Sequence, residues 1–187
     1  MNRSETTLSA EALAVAQRVE SLRDFLGLLG EHGQCITWPE PINPEPDIRN
    51  IAAAAGRDEM SGPAVLFDRI RGYPGQRLVL GVHGSFSNIA LLLGHPRGTT
   101  IKQLFYEIAG RWGSDRPLIE RVAPREAPVN QNRAESGINL YDLLPLYRTN
   151  AMDGGFYIAK ANIVSRDPRA PEDFNRQNVG IYRTSSK

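Results

Sequence analysis

Gln177-Asn178-Val179-Gly180-Ile181-Tyr182-Arg183 is the stretch on which the reading of this chain turns. It reads as a strand, and its last residue is a charged one. An arginine on a buried strand is unusual, because a desolvated guanidinium needs an anionic partner. Its planar fork suits a carboxylate or a phosphate. From the residues alone, Arg183 is either a ligand-binding arginine or half of a structural salt bridge, and Asn178 is an ordinary polar strand residue. A first strand, Gly155 to Ser165, precedes this one across a polar loop, Arg166 to Arg176, rich in Asp and Pro.

Upstream of these strands the texture is different. Ala12, Val15 and Val19 sit at helical spacing behind a polar lead. Ser21-Leu22-Arg23-Asp24 is an N-terminal capping pattern, and Leu22, Phe25, Leu26 and Leu29 then fall on one helix face, with Gly30 and Gly33 expected to end it. Gln34 to Trp38 reads as a short strand closed by Pro39, Pro41, Pro44 and Pro46. Asp47 is expected to cap a helix carrying Ile48, Ile51, Ala52 and Ala55. Pro63 to Phe67 and Leu78 to Val82 read as strands around the Gly72-Tyr73-Pro74-Gly75 turn. Ser85 opens another helix through Leu93, stopped by Gly94 and Pro96. Thr100-Ile101-Lys102-Gln103 is a second capping box, with Ile101, Leu104, Phe105 and Ile108 expected to form a buried face. From Arg116 to Ala134 the chain is proline-spaced and charged, without a period. Helices and strands mixed, then strands alone, predict a mixed α/β domain followed by the opening strands of a mostly β domain.

Composition limits the function classes. The chain has 187 residues, and its 22 basic and 21 acidic side chains leave a net charge of +1. Neither a basic excess nor a basic stripe marks a nucleic-acid binder. The single Cys35 excludes an internal disulfide, and no cysteine–histidine cluster suggests zinc. It reads as an inert thiol packed like a small hydrophobe. Met1 to Ala10 lacks the pattern of a signal peptide, and the apolar run Ile89 to Leu93 is too short to span a bilayer. A cytoplasmic protein with no membrane role is the expectation.

Motifs of known chemistry are sparse. GxGxxG, P-loop, HExxH, GxSxG and CxxC patterns are absent. His83 lies in Gly81-Val82-His83-Gly84-Ser85, where a backbone-bonded turn histidine is favoured over a catalytic one. Asp153-Gly154-Gly155-Phe156 reads as a turn into a strand, though paired glycines also let a phosphate or ring approach the backbone.

Several stretches together are similar to UbiD-type decarboxylases. They are Leu22-Arg23-Asp24-Phe25-Leu26, Ser61 to Phe67 followed by Arg71-Gly72-Tyr73, and Asn178-Val179-Gly180-Ile181-Tyr182-Arg183. Others resemble the bacterial non-oxidative hydroxyarylic acid decarboxylases in particular: Val82 to Ser85, Ile138 to Leu146, Asp153 to Tyr157 and Val164 to Pro168. Their order and spacing, from Leu22 to Arg183, carry the resemblance.

The resemblance implies a fold, a mixed α/β (α+β) N-terminal domain followed by the opening strands of an FMN-binding split β-barrel. The division expected is a lead over 1–21, the α/β domain over 22–113 and the incomplete flavin-binding domain over 114–187. It also implies reversible decarboxylation of a hydroxyaromatic acid on prenylated FMN, with a divalent metal, typically Mn2+, and K+ at the phosphate. Asn178 matches the family's metal-ligating asparagine. Ile181 and Tyr182 match the segment along the cofactor, and Arg183 matches the catalytic arginine that engages the substrate carboxylate. An amide oxygen is a suitable hard ligand for such a cation. Positions 178 and 183 point to opposite faces of a flat strand, so a twist or bulge is required if both touch one cofactor. The partners implied are an aromatic carboxylic acid, a flavin prenyltransferase that supplies the cofactor, and further copies of the enzyme.

After Arg183 only Thr184-Ser185-Ser186-Lys187 follow, and the family's histidine, glutamates and C-terminal dimerising domain have no counterpart. The expectation is that this polypeptide alone does not decarboxylate. A different reading keeps the α/β domain as a non-catalytic interaction module that pairs with full-length decarboxylase subunits. An unrelated FMN-binding split-barrel protein is disfavoured by the matches outside the cofactor strand.

Overall fold

The computed structural model describes residues 10–112, 122–173 and 176–186. The expected change of texture at Gly113 and the start of the proline-spaced tract lie outside the described residues.

Two helices open the described chain, α1 (Ala10–Arg18) and α2 (Leu22–Glu31). The Ser21 capping box forms as read: its hydroxyl accepts from the Asp24 amide, and the Asp24 carboxylate accepts from the Ser21 amide. Gly30 lies inside α2, and the break comes at Gly33, whose φ of 66° suits glycine. Three strands, β1 (Cys35–Thr37), β2 (Ala64–Phe67) and β3 (Leu78–Leu80), form one sheet in that order. β1 runs parallel to β2, and β3 runs antiparallel to it. Alternation along the central strand builds two cores. Ala64 packs with Phe25, Leu28 and Leu29 of α2 and with Leu91 of α4 (Phe86–Leu92). Val65 and Phe67 face the other way, onto Ile42, Ile48 and Ile70. Each fully buried large side chain contributes roughly 1.5–3 kcal/mol, so α2 is held by its apolar face rather than by its cap.

Three expectations are corrected. Asp47 does not cap α3 (Arg49–Ala55); its carboxylate turns back to accept from the amide and side chain of Asn43, inside the irregular turn Pro44–Ile48. The face of α5 (Ile101–Arg111) is not buried as read. Leu104 is 2% exposed, whereas Ile101, Phe105 and Ile108 are 44%, 63% and 42% exposed. Leu104 is the residue of α5 that is buried, Glu107 and Arg111 meet His95 and the Leu93 carbonyl from the later turns, and the Thr100–Gln103 capping box forms. The last strand also runs past Arg183, to Ser186.

The second part is thinner. After α6 (Leu140–Leu143), β4 (Phe156–Arg166) and β5 (Gln177–Ser186) form a two-stranded antiparallel ribbon. Among the described residues this ribbon is the whole of the second sheet, and the architecture shown is mixed α/β. Ile163, Val164, Val179 and Ile181 of the ribbon are all exposed.

Gly94 shows how tightly α1 is seated. Its φ is 78°, and a Cβ there would lie 2.3 Å from the Ala12 Cα. Gly137 has a similar φ, 62°, but open space around it. Gly94→Ala should therefore cost about 3 kcal/mol, strain plus displaced backbone, against about 1–2 kcal/mol of strain alone for Gly137→Ala. Urea unfolding of both variants measures the difference; equal midpoints would contradict the seating of α1 on Gly94.

Candidate functional site

The ribbon is rooted in the α/β unit by local chemistry. Tyr147 packs against the Ile42–Phe67 core and pairs with Tyr157 at the start of β4. The next amide, Arg148, donates to Glu45 Oε2 at 2.8 Å, and Glu45 also pairs with Arg49. The Arg148 guanidinium lies 5.0 Å from the Phe156 ring centre. Tyr73 adds a hydrogen bond from its hydroxyl to the Tyr141 carbonyl at 2.6 Å. Burial raises the Tyr147 phenol above its ordinary pKa, so it stays neutral in this contact.

Cross-strand register fixes which side chains share a face. Ser165 pairs with Asn178, Asn162 with Ile181 and Ala161 with Tyr182, but the next pair is Ile158 with Thr184. Ala159 and Lys160 therefore both oppose Arg183, a two-against-one β-bulge on β4. Asn178, Gly180 and Tyr182 lie on one face. Val179, Ile181 and Arg183 lie on the other, with Asn162 and Tyr157. The cofactor argument requires a twist or a bulge between Asn178 and Arg183; the bulge present lies on β4. β5 itself is unbroken, so Asn178 and Arg183 stay on opposite faces.

Each sequence-singled residue can now be placed. Arg183 is exposed rather than buried, and among the described residues no carboxylate pairs with it. Its guanidinium stacks 4.5 Å from the centre of the Tyr157 ring instead. Asn178 and Ile181 are exposed, and Tyr182 folds its ring over Gly180, where a Cβ would lie 2.3 Å from Tyr182 Cε2. That close approach explains the glycine in this strand. Cys35 packs against the Phe25 core, and burial pushes its thiol up, away from reactivity. Asp153 closes a turn by accepting from the Asn150 amide at 2.7 Å.

His83 is the residue whose setting sequence reasoning missed. Its Nδ1 lies 2.7 Å from Lys160 Nζ on the bulge, and its ring is 5.5 Å from that of Phe25. An ammonium can only donate, so Nδ1 accepts and the ring carries its proton on Nε2. Burial, then the Lys160 charge, holds its pKa below the ordinary value. The pair stands at a cleft of about 780 Å3 between α2, β3 and β4, whose polar lining includes Glu20 and Asn162. The loop carrying His83 is fixed from below. Asn88, fully buried, donates to the Gly81 and Val82 carbonyls at 3.2 Å each. Gln34, with its amide turned so that nitrogen faces acceptors, donates to Asn88 Oδ1 at 2.8 Å and accepts from Arg97 at 2.9 Å. Only a spacing signal between Asn88 and the Gly81-Val82-His83-Gly84 turn, an Asn on the first helical turn after glycines, could have pointed to it.

One amide oxygen on one face and one guanidinium on the other do not enclose a flavin. Nor does Asn178 alone complete the shell of about six hard ligands that such a cation takes. Among the described residues no group of three His, Cys, Asp or Glu side chains could hold a metal. No helix among them is long and apolar enough to cross a membrane.

The sequence pattern of the 3-octaprenyl-4-hydroxybenzoate carboxy-lyase N-terminal domain matches residues 26–108, and that of the same family's Rift-related domain matches residues 120–187. The chain belongs to the UbiD family. The phenolic acid decarboxylase of Sedimentibacter hydroxybenzoicus is 45% identical over 174 residues, 92% of this chain and 36% of that protein. The Bacillus subtilis phenolic acid decarboxylase is 41% identical over 168 residues, 90% of this chain and 35% of that one. Among solved structures, the open form of S. hydroxybenzoicus vanillic acid decarboxylase superposes with a TM-score of 0.83 at 45% identity, over 90% of this chain and 36% of that one. A UbiD-class enzyme from Pelotomaculum thermopropionicum, a dimeric form in complex with prFMN, superposes at 0.66 and 27% identity, over 87% and 35%. The UbiD-family chain thus spans about a third of the length of the relatives it matches.

Asn88 tests how the His83 loop is held in this UbiD chain. Asn88→Ala leaves two loop carbonyls without their donor, at an expected cost of about 2–4 kcal/mol. Urea unfolding checks it; a loss below about 0.5 kcal/mol, the size of an ordinary surface change, would contradict the role given to the amide.

Proposed function

We propose that this chain forms the N-terminal third of a UbiD-type carboxy-lyase that removes CO2 from a hydroxyaromatic acid on prenylated FMN, with Mn2+ and K+ at the flavin phosphate. The observation that carries this is Arg183: a guanidinium with no carboxylate partner among the described residues, on a strand that resembles the family's cofactor strand and lies within the match to the Rift-related domain. Stacking on an exposed tyrosine is worth about 0.5–1 kcal/mol. A charge-assisted hydrogen bond is worth about 1.5–3 kcal/mol, so a substrate carboxylate outcompetes Tyr157 for the guanidinium. Arg183 would orient that carboxylate before it leaves. Asn178 would contribute one metal ligand, and Ile181 and Tyr182 would border the cofactor, which supplies the decarboxylation chemistry.

In this reading β4 and β5 open a split β-barrel whose remaining strands, together with the other metal ligands and the acid–base carboxylates, belong to the rest of the enzyme. The division at 22–113 and 114–187, a cytoplasmic setting, a flavin prenyltransferase as cofactor source and assembly into homo-oligomers belong to the same proposal. A chimera tests it, with this chain replacing the matching third of the S. hydroxybenzoicus phenolic acid decarboxylase. Loaded with prenylated FMN, Mn2+ and K+, the chimera should release CO2 from 4-hydroxybenzoate or vanillate. Arg183→Ala in it should lose at least a hundredfold, about 2.7 kcal/mol at the transition state. The 187-residue chain alone should match a heat-killed control. A folded chimera without turnover, or unaltered turnover with Arg183→Ala, would overturn the proposal.

The exposed Ile101, Phe105 and Ile108 of α5 favour a second reading, in which the chain pairs with full-length decarboxylase subunits without catalysing. That reading requires a complex of both polypeptides on size exclusion, weakened by Phe105→Asp.

A further inference from the structure

We propose that His83 and Lys160 are positioning residues for Arg183, forming a latch that holds the bulged ribbon to the α/β unit while His83 is neutral. This rests on the reading of Arg183 as the carboxylate-binding arginine.

The argument starts from the bulge. In an unbroken antiparallel ladder, one β4 residue would oppose Arg183. Here Ala159 and Lys160 both do, between the pairs Ile158–Thr184 and Ala161–Tyr182. An unpaired residue in a bulge lacks the ladder contacts that define its neighbours' positions, so a contact from outside the ladder bears directly on how it is placed. The contact at that point is Lys160 Nζ to His83 Nδ1, at 2.7 Å. Lys160 and Asn162 line the same cleft as His83, and Asn162 is opposite Ile181. By alternation Arg183 and Ile181 share that face, so the latch and the guanidinium act on one side of the ribbon. The ribbon is also tied to the α/β unit at its root, through Tyr147 and Arg148. Two ties, at the root and at the bulge, define an orientation where one would leave a hinge.

The second tie depends on protonation. Lys160 offers only N–H donors, so the contact needs a lone pair on Nδ1. When His83 binds a proton, both ring nitrogens donate and two cations face each other. The other charged groups around it are few. Glu20, from the link between α1 and α2, lines the cleft, and Arg183 stands on the facing side of the ribbon. α2 contributes the Phe25 ring, and the segments of β3 and α4 contain no titratable side chain. Because the His83 pKa lies below its ordinary value, the latch is closed at neutral pH. It opens as pH falls through that lowered pKa.

The test follows the Arg183 Nε–H and the Tyr157 ring protons by NMR in the chain itself, from pH 8 to 5. In the unaltered chain both should follow a one-proton curve that coincides with the His83 Cε1–H curve. In His83→Gln, whose amide oxygen accepts from Lys160 without titrating, both should hold the neutral-pH position throughout. In Lys160→Met, which keeps the stem but has no donor, both should hold the low-pH position throughout. No response in the unaltered chain overturns the proposal, as does a response that persists in His83→Gln. If Lys160→Met fails to fold, the His83→Gln comparison still decides. No flavin, metal or substrate enters this measurement, so its failure leaves the carboxy-lyase reading standing, and an inactive chimera leaves the latch standing.

Discussion

One extra residue in β4 governs how this chain presents its chemistry. Because Ala159 and Lys160 together oppose Arg183, the two strands change register once, between Ile158 and Ala161. On the β4 side this moves Tyr157 onto the face of Arg183, where the ring meets the guanidinium at 4.5 Å. It also turns Lys160 toward the α/β unit, where the Gly81–Ser85 loop meets it with His83. Were the Phe156–Ile158 register continued without the bulge, Ala159 alone would oppose Arg183 and Lys160 would pair with Tyr182, on the other face from Arg183. The bulge therefore links the arginine, the aromatic ring beneath it and the neighbouring unit in one arrangement.

That arrangement works only because the loop it meets is rigid. Gly81, at φ 69°, allows the sharp exit from β3, and Ser85 starts α4 by accepting from the Asn88 amide. Asn88 then spends its side-chain donors on the loop's own carbonyls, at no exposure to water. Buried amides of this kind stabilise when every partner is present and cost when one is lost. Gln34 and Arg97 complete the set, and Arg97 also donates to the His32 carbonyl at 2.9 Å, tying the end of α2 to the same network. The apolar core supplies most of the stabilisation of the α/β unit; the polar network decides where its loop stands.

Much of the fold was legible in the sequence where local rules act alone. Both capping boxes, at Ser21 and Thr100, formed because their partners are three residues away and need no tertiary context. β2 was legible from Ala64-Val65-Leu66-Phe67, and β4 was read to within one residue at each end, while β5 runs three residues past the expected Arg183. Failures occurred where a distant partner decides. Asp47 looks like a cap, but Asn43 offers it two donors before the helix begins. The apolar stripe of α5 has the right period, yet of Ile101, Leu104, Phe105 and Ile108 only Leu104 is buried. Arg183 read as buried because the apolar Val179 and Ile181 share its face, whereas both of them are exposed. The bulge left no trace in the sequence, since Ala159-Lys160 does not break an alternating pattern visibly. The His83–Lys160 contact spans 77 residues and depends on that bulge. Family resemblance to UbiD decarboxylases located Asn178 and Arg183 on the strand and parity put them on opposite faces; the register shows that no bulge on β5 undoes that separation.

The register across the ribbon is therefore the quantity to measure. Cross-strand Hα–Hα and amide NOEs between β4 and β5, recorded on the isotopically labelled chain, report it directly. The account predicts contacts between Ala161 and Tyr182 and between Ile158 and Thr184, with Ala159 and Lys160 both near Arg183. A contact between Ala159 and Thr184 would mean an unbroken ladder, and would contradict both the placement of Lys160 beside His83 and the shared face of Arg183 and Tyr157.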